Sequence, residues 1–283
     1  MTPESLHAHY TRRGAGQPVL LLHGMAASQY DWERLAPALA EAGYSAYALD
    51  LLGHGESAKP PDPGQYHMQS LMEHFSAWVE GLHLDRPPVL VGHSLGGWLS
   101  LNYALRHPGQ VRALALIAPF YTRRQLSPWL RMARRRPGLG ELALKRIPRW
   151  AVQAALGLDP AAARMSPQAR RQIAQDYKRA SPLIFYLTRG FKNLDPRLGS
   201  VTHPALVIWG GRDQTLRPGS FPPLVEALPA GRGCALEGCG HQPHISHPEQ
   251  VNGEILGFLR ELDAGPVTRA GERSAGRQPL YES

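Results

Sequence analysis

Cysteine is nearly absent from this chain. Its 283 residues include two, Cys234 and Cys239, too close together to staple much of a fold, so a disulfide scaffold is excluded and both read as reduced thiols of a cytosolic protein. Long apolar runs are missing too. No stretch approaches the roughly 18 residues that cross a bilayer, and the opening "MTPESLHAHYTRRG" has no basic start followed by an apolar block, so neither a span nor an export leader is expected. Acidic residues are scarce in one region: residues 121–200 hold 17 of the 31 Lys and Arg but 4 of the 23 Asp and Glu. The net charge of +8 therefore belongs to that segment. It carries neither interleaved aromatics nor the signature of a recognised binding fold, and nucleic acid is not expected as a partner. Internal repeats are lacking as well.

What is present is a rhythm. Short apolar runs at 18–24, 44–50, 87–93 and 111–119 alternate with amphipathic stretches at 30–43, 68–82 and 94–108, the pattern of repeated strand–helix–strand units. Each strand is apolar throughout, which implies a mostly parallel sheet covered by helices on both faces. The rhythm stops near residue 120 and returns with strands at 203–210 and 231–238 and a helix at 248–263. Between them lie helix-like pieces separated by prolines. The fold class expected is α/β, with a core of 1–120 and 201–263, a helical insertion at 121–200, and a disordered tail at 264–283 that is rich in Gly, Ala, Arg and Ser.

One hydroxyl stands out. Gly92-His93-Ser94-Leu95-Gly96 fits G-x-S-x-G between a predicted strand and a predicted helix, where a sharp turn exposes the serine Oγ at the carboxyl edge of the sheet. A serine hydroxyl at its ordinary pKa is a weak nucleophile, so a base and a carboxylate are needed beside it. His241, His244 and His247 follow one another at intervals of three. Residues six apart on a helix diverge, and Pro243 and Pro248 interrupt any regular ligand face, so no metal is expected and His244 and His247 read as packing or surface residues.

The stretches "LLLHG", "DLLGHGES", "GHSLGG", "WGGRD" and "GCGHQPH" occur in that order, and through them the chain resembles the α/β-hydrolase superfamily, in its serine hydrolase branch with a helical cap. The resemblance implies Ser94 as nucleophile, Asp213 as the acid and His241 as the base, in the family's chain order. It implies an oxyanion hole from the backbone N–H groups of Met25 and Leu95. It also implies that His23, Asp50 and His54 hold loops together, and that His93 packs. A serine at 94 argues against haloalkane dehalogenase and epoxide hydrolase chemistry, which in this fold uses a carboxylate nucleophile. "HGMAAS" lacks the Gly-Gly-Gly of one esterase branch and the Gly-rich loop common in carbon–carbon bond hydrolases.

The reaction expected is hydrolysis of a small to medium, apolar or amphiphilic carboxylic ester through an acyl-serine, without metal or organic cofactor. Alternatives on the same fold are a carbon–carbon bond hydrolase, a tetrapyrrole-pathway enzyme, and a slow-turnover ligand receptor. In the cap region, Trp129, Leu130 and Met132 lie beside Arg131, Arg134, Arg135 and Arg136. That mixture suits an anionic membrane surface or a negatively charged or amphiphilic substrate; a solvated arginine-rich face is the plainer alternative.

Overall fold

The computed structural model describes residues 7–126, 131, 135–158, 164–188 and 190–265. Seven strands form one sheet: β1 (Tyr10–Arg13), β2 (Gln17–Leu22), β3 (Tyr44–Leu49), β4 (Val89–His93), β5 (Ala113–Ile117), β6 (Ala205–Gly210) and β7 (Gly231–Leu236). Their spatial order is β1-β3-β2-β4-β5-β6-β7. Every pairing is parallel except that of β1 with β3.

Apolar side chains on both faces explain the burial. In β2, Leu20 and Leu22 enter one cluster while Val19 and Leu21 enter the other. Leu90 and Leu114 repeat the first direction, and Val91 and Ala115 the second. Since successive strand residues point to opposite faces, a run without polar members must be covered twice. Helices α2 (Met68–Gly81) and α3 (Leu95–Arg106) cover one face with Leu71, Phe75, Trp98 and Leu99. On the other, α1 (Leu35–Glu41) brings Leu35 and Leu39, and the C-terminal helix Pro248–Ala264 brings Val251, Ile255 and Leu259. The spacing of four residues in Leu71/Phe75, Leu35/Leu39 and Val251/Ile255/Leu259 follows the helical period that keeps one stripe inward.

Two local expectations shift. The predicted helix at 30–43 is a short 3-10 turn, Gln29–Trp32, followed by α1, with the Ser28 hydroxyl accepting the Tyr30 N–H at the turn's start. Strand β1 was not foreseen. Its sequence, YTRR, is exposed at all four positions and bears no apolar alternation, because an edge strand need bury neither face to pair its backbone.

Between β5 and β6 the chain forms α4 (Pro137–Arg146), α5 (Arg149–Leu158), α6 (Pro167–Arg179) and 3-10 runs at Pro182–Thr188 and Asp195–Ser200. Ala180, Ile184, Leu187, Leu194, Leu198 and Val201 are buried in the same cluster as α2 and α3. The second half of this segment is thus part of the main core. Trp129, Leu130, Met132 and Arg134 lie outside the described residues, as does the expected tail from residue 266 onward. Two short helices complete the chain: α7 (Phe221–Ala227) and α8 (Pro243–Ser246), with α9 (Pro248–Ala264) last.

Candidate active site

Strand β4 runs directly into α3 through Ser94, whose backbone sits at φ +49° and ψ −105°. An L-residue there is strained, and such a conformation persists only where its surroundings enforce it. They do: the Ser94 N–H donates to the Ile117 carbonyl at 3.0 Å, and the Phe120 N–H donates to the Ser94 carbonyl at 2.9 Å. The flanking glycines answer to space. A Cβ on Gly92 would overlap the Gly96 carbonyl, and one on Gly96 the Leu22 carbonyl.

Three elements far apart in sequence meet over this turn. Ser94 Oγ lies 3.0 Å from His241 Nε2, and His241 Nδ1 lies 2.7 Å from Asp213 Oδ2. The other carboxylate oxygen of Asp213 accepts the N–H groups of Thr215 at 2.8 Å and Leu216 at 2.9 Å. An ionised carboxylate only accepts, so Nδ1 of His241 carries the proton and Nε2 is free to receive one from Ser94. The acid's side chain is 0% exposed and the imidazole 19%. The loops carrying Asp213 and His241 are also tied together, since the Gly211 N–H donates to Leu236 O and the Arg212 N–H to Cys239 O.

Met25 lines a cavity of about 290 Å³ with Ser94 and His241; Ala26, Ala27, Ile173, Tyr177 and Thr215 form much of the remaining wall. Leu95 is the first residue of α3, so its N–H belongs to the helix N-terminus, where backbone donors point outward unpaired by the helix. The loop holding Met25 rests on two buried histidines. His54 Nδ1 lies 2.9 Å from Leu52 O and its Nε2 accepts the Ala26 N–H at 3.1 Å. His23 does the same between Gly24 O and the Leu51 N–H. Burial holds the pKa of His23 down and that of His54 down to about 3, so both rings stay neutral and each nitrogen keeps its assigned role. Asp50 clamps the same loop from below by accepting the N–H groups of Gln29 at 2.8 Å and Glu56 at 3.0 Å.

Sequence reasoning missed Asp31 and Asp176. Asp31, His93 and His244 are all buried, and their ligand-type atoms lie within 4.8 Å of one another. Asp31 Oδ2 is 3.6 Å from His244 Nε2 and 3.9 Å from His93 Nδ1, beyond hydrogen-bond reach. Among the described residues these three form a group that could hold a metal ion, with separations somewhat wider than the roughly 3.3 Å between neighbouring ligands of a tetrahedral zinc. His244 is thereby a buried residue stacked on Trp32, and His247 is buried beside the Cys239 thiol, with Nδ1 and Sγ 2.9 Å apart. Both cysteines are unpaired. Asp176, on the inner face of α6, accepts the Gln172 amide at 3.0 Å. Burial, reinforced by the charge of Asp31 and moderated by a bond with Ser28, raises its pKa to about 7. No composition signal marks either acid, because each looks like an ordinary polar position of a helix.

A second cavity, of about 580 Å³, opens between α6 and the core and shares Asp31 and Ile173 with the first. Among the described residues no helix is long and apolar enough to cross a membrane.

Known proteins resemble this chain over most of its length. Rat bifunctional epoxide hydrolase 2 (Rattus norvegicus) is 26% identical over 93% of the chain, which spans about half (55%) of that protein's length. The pimeloyl-[acyl-carrier protein] methyl ester esterase of Aeromonas hydrophila is 29% identical over 84% of the chain and 94% of its own. A membrane phospholipase A described as a bacterial virulence factor superposes with a TM-score of 0.76 at 28% identity, covering 90% of this chain and 83% of that one. The alpha/beta hydrolase fold family matches residues 17–248, and the seven-stranded, mostly parallel sheet agrees with it. The chain belongs to the α/β hydrolase fold family.

Proposed function

We propose that this protein is a hydrolase that cleaves carboxylic esters through an acyl-serine intermediate. One observation supports the reading above others: the unbroken chain of contacts from Asp213 through His241 to Ser94, at 2.7 and 3.0 Å, beside a cavity to which Met25, Ala26, Ala27 and Ile173 contribute apolar wall. In the first half-reaction His241 Nε2 takes the Ser94 proton as Oγ attacks the ester carbonyl. Asp213 holds the imidazolium that forms. The backbone N–H groups of Met25 and Leu95 receive the negative charge on the carbonyl oxygen, a role typically worth about 10²–10³ in rate per donor. His241 then returns the proton to the departing alkoxide, and a water, deprotonated by the same imidazole, releases the acid and restores the serine. Ser94 supplies the nucleophile that epoxide hydrolases of this fold draw from a carboxylate, which separates the proposed chemistry from that of the rat relative.

The helices between β5 and β6 act as a cap in this scheme, with Ile173 and Tyr177 of α6 forming one wall of the pocket. A volume near 290 Å³ favours short to medium acyl groups. The experiment is turnover of a nitrophenyl ester series together with fluorophosphonate labelling. Wild type should release nitrophenol and take the label on Ser94, and Ser94→Ala should do neither while melting as a folded protein. Undiminished turnover by Ser94→Ala would refute the assignment.

A further inference from the structure

The segment between β5 and β6 turns a mixed basic and apolar face outward. α4 and α5 meet at Ile147 and Pro148, and around that corner Leu139, Leu142, Ile147 and Trp150 are 54, 42, 39 and 72% exposed. Among the described residues the other large apolar side chains so exposed are Tyr10 and Tyr30, so two thirds of this class sit within twelve residues. The core does not account for them. α4 meets its packing need through Leu144, which is buried, and leaves the other positions on the solvent side.

Exposed charge is concentrated in the same stretch. Arg135, Arg136, Lys145, Arg146 and Arg149 are all exposed. In the stretch 135–158 the sequence offers one acid, Glu141, and it is already engaged by Lys145 Nζ at 2.7 Å and the Tyr186 hydroxyl at 3.1 Å. Exposed Trp, Leu and Ile ringed by Arg and Lys combine the two terms that hold a protein at an anionic bilayer: apolar burial at the headgroup boundary and attraction to negative lipid.

We infer that the α4–α5 corner docks on an anionic lipid surface. Two copies of this chain meeting through the face would set like charges against each other, which opposes a symmetric dimer. A nucleic acid would satisfy the cations but leave Trp150, Leu139 and Leu142 without an apolar environment. A bilayer satisfies both. Docking here has a geometric corollary, because α5 packs on α6 and α6 supplies Ile173 and Tyr177 to the pocket of Ser94. The lipid surface would lie one helix layer from the pocket wall.

Co-sedimentation of the full chain with vesicles tests this without reference to catalysis. The probes are phosphatidylcholine vesicles alone and the same lipid with about 30 mol% phosphatidylglycerol. Binding is expected to the mixed vesicles, with at least about a tenfold weaker association to the neutral ones and on raising salt from roughly 0.05 to 0.5 M. Arg146→Glu with Arg149→Glu should weaken binding about tenfold or more, and Trp150→Ser several-fold, with melting temperatures within a degree or so of wild type because all three side chains are exposed. Ser94→Ala should bind like wild type, which keeps this result separate from the ester-cleavage assignment. Equal affinity for both vesicles, no affinity for either, or indifference to these substitutions would overturn the inference. So would a dimer that Trp150→Ser dissociates, or tighter capture by random-sequence duplex DNA than by the mixed vesicles.

Discussion

His93 Nε2 lies 2.9 Å from the backbone carbonyl oxygen of His241. The residue just before Ser94 thus holds the loop that carries His241, and the carbonyl requires that Nε2 be the protonated nitrogen. Burial keeps this imidazole's pKa well below its ordinary value, so the donor persists as a neutral ring. His93→Ala should release the His241 loop and lower kcat by about 10–100-fold, the scale of a misplacement near 1 Å, with little change in KM. His93→Gln, which keeps an N–H of similar reach, should recover part of the loss; ester kinetics on both variants decide it.

Asp213 fixes the tautomer of His241. In Asp213→Asn an amide that presents its N–H₂ to the imidazole would force the proton onto Nε2, the nitrogen that must accept from Ser94. A kcat drop of about 10⁴-fold is expected, by analogy with the same change in other triads. Retention of more than a tenth of the activity would contradict the assigned role.

Strain at Ser94 should be measurable as stability. Replacing a residue at φ +49° by glycine removes the Cβ conflict, so Ser94→Gly should be more stable than Ser94→Ala by roughly 1 kcal/mol in denaturant titration. Gly96→Ala should act in the opposite direction, by about 2 kcal/mol or more, because its new methyl meets the Leu22 carbonyl.

Buried titratable groups set opposing pH dependences. His54 and His74 have folded pKa values lowered to about 3 and 4, chiefly by burial. Below pH 6.5 the unfolded chain takes up protons that the folded one refuses, so stability falls as pH drops from about 6.5 toward 4. Asp176 acts in reverse. Its folded pKa, raised from 3.8 to about 7, means the folded state holds the extra proton between those values, and its contribution is lost as pH rises through 7. The advantage of Asp176→Asn over wild type should therefore be about 1–2 kcal/mol greater at pH 8 than at pH 5. Thermal melts across that range give the comparison, and equal gains at both pH values would remove the explanation.

Much of the site was legible because its determinants are local. Gly92, Ser94 and Gly96 encode a turn that only a few residue types can form, and Asp213 and His241 each follow a readable strand. Asp31 and Asp176 were not legible, since their significance lies in a meeting between the loop after β2 and α6, which no local pattern announces. Strand β1 was missed for a different reason: its four exposed residues carry no burial signal, and the side-chain contacts that Tyr10 and Arg12 make with Ser45 and Tyr47 of β3 follow no local pattern. The N-terminal part of the predicted helix at 30–43 became a 3-10 turn once Ser28 capped it, a choice that apolar spacing does not encode.

The burial of Ile184, Leu187, Leu198 and Val201 beneath α2 and α3 limits how this molecule can be simplified or remodelled. Excising residues 121–200 would tear apolar side chains out of the sheet's own covering and leave a hole there, so a trimmed chain should precipitate rather than fold around a more open pocket. Grafts that exchange α4 to α6 and stop short of Ala180 respect that anchorage, and they are the natural way to transplant a different selectivity onto this scaffold.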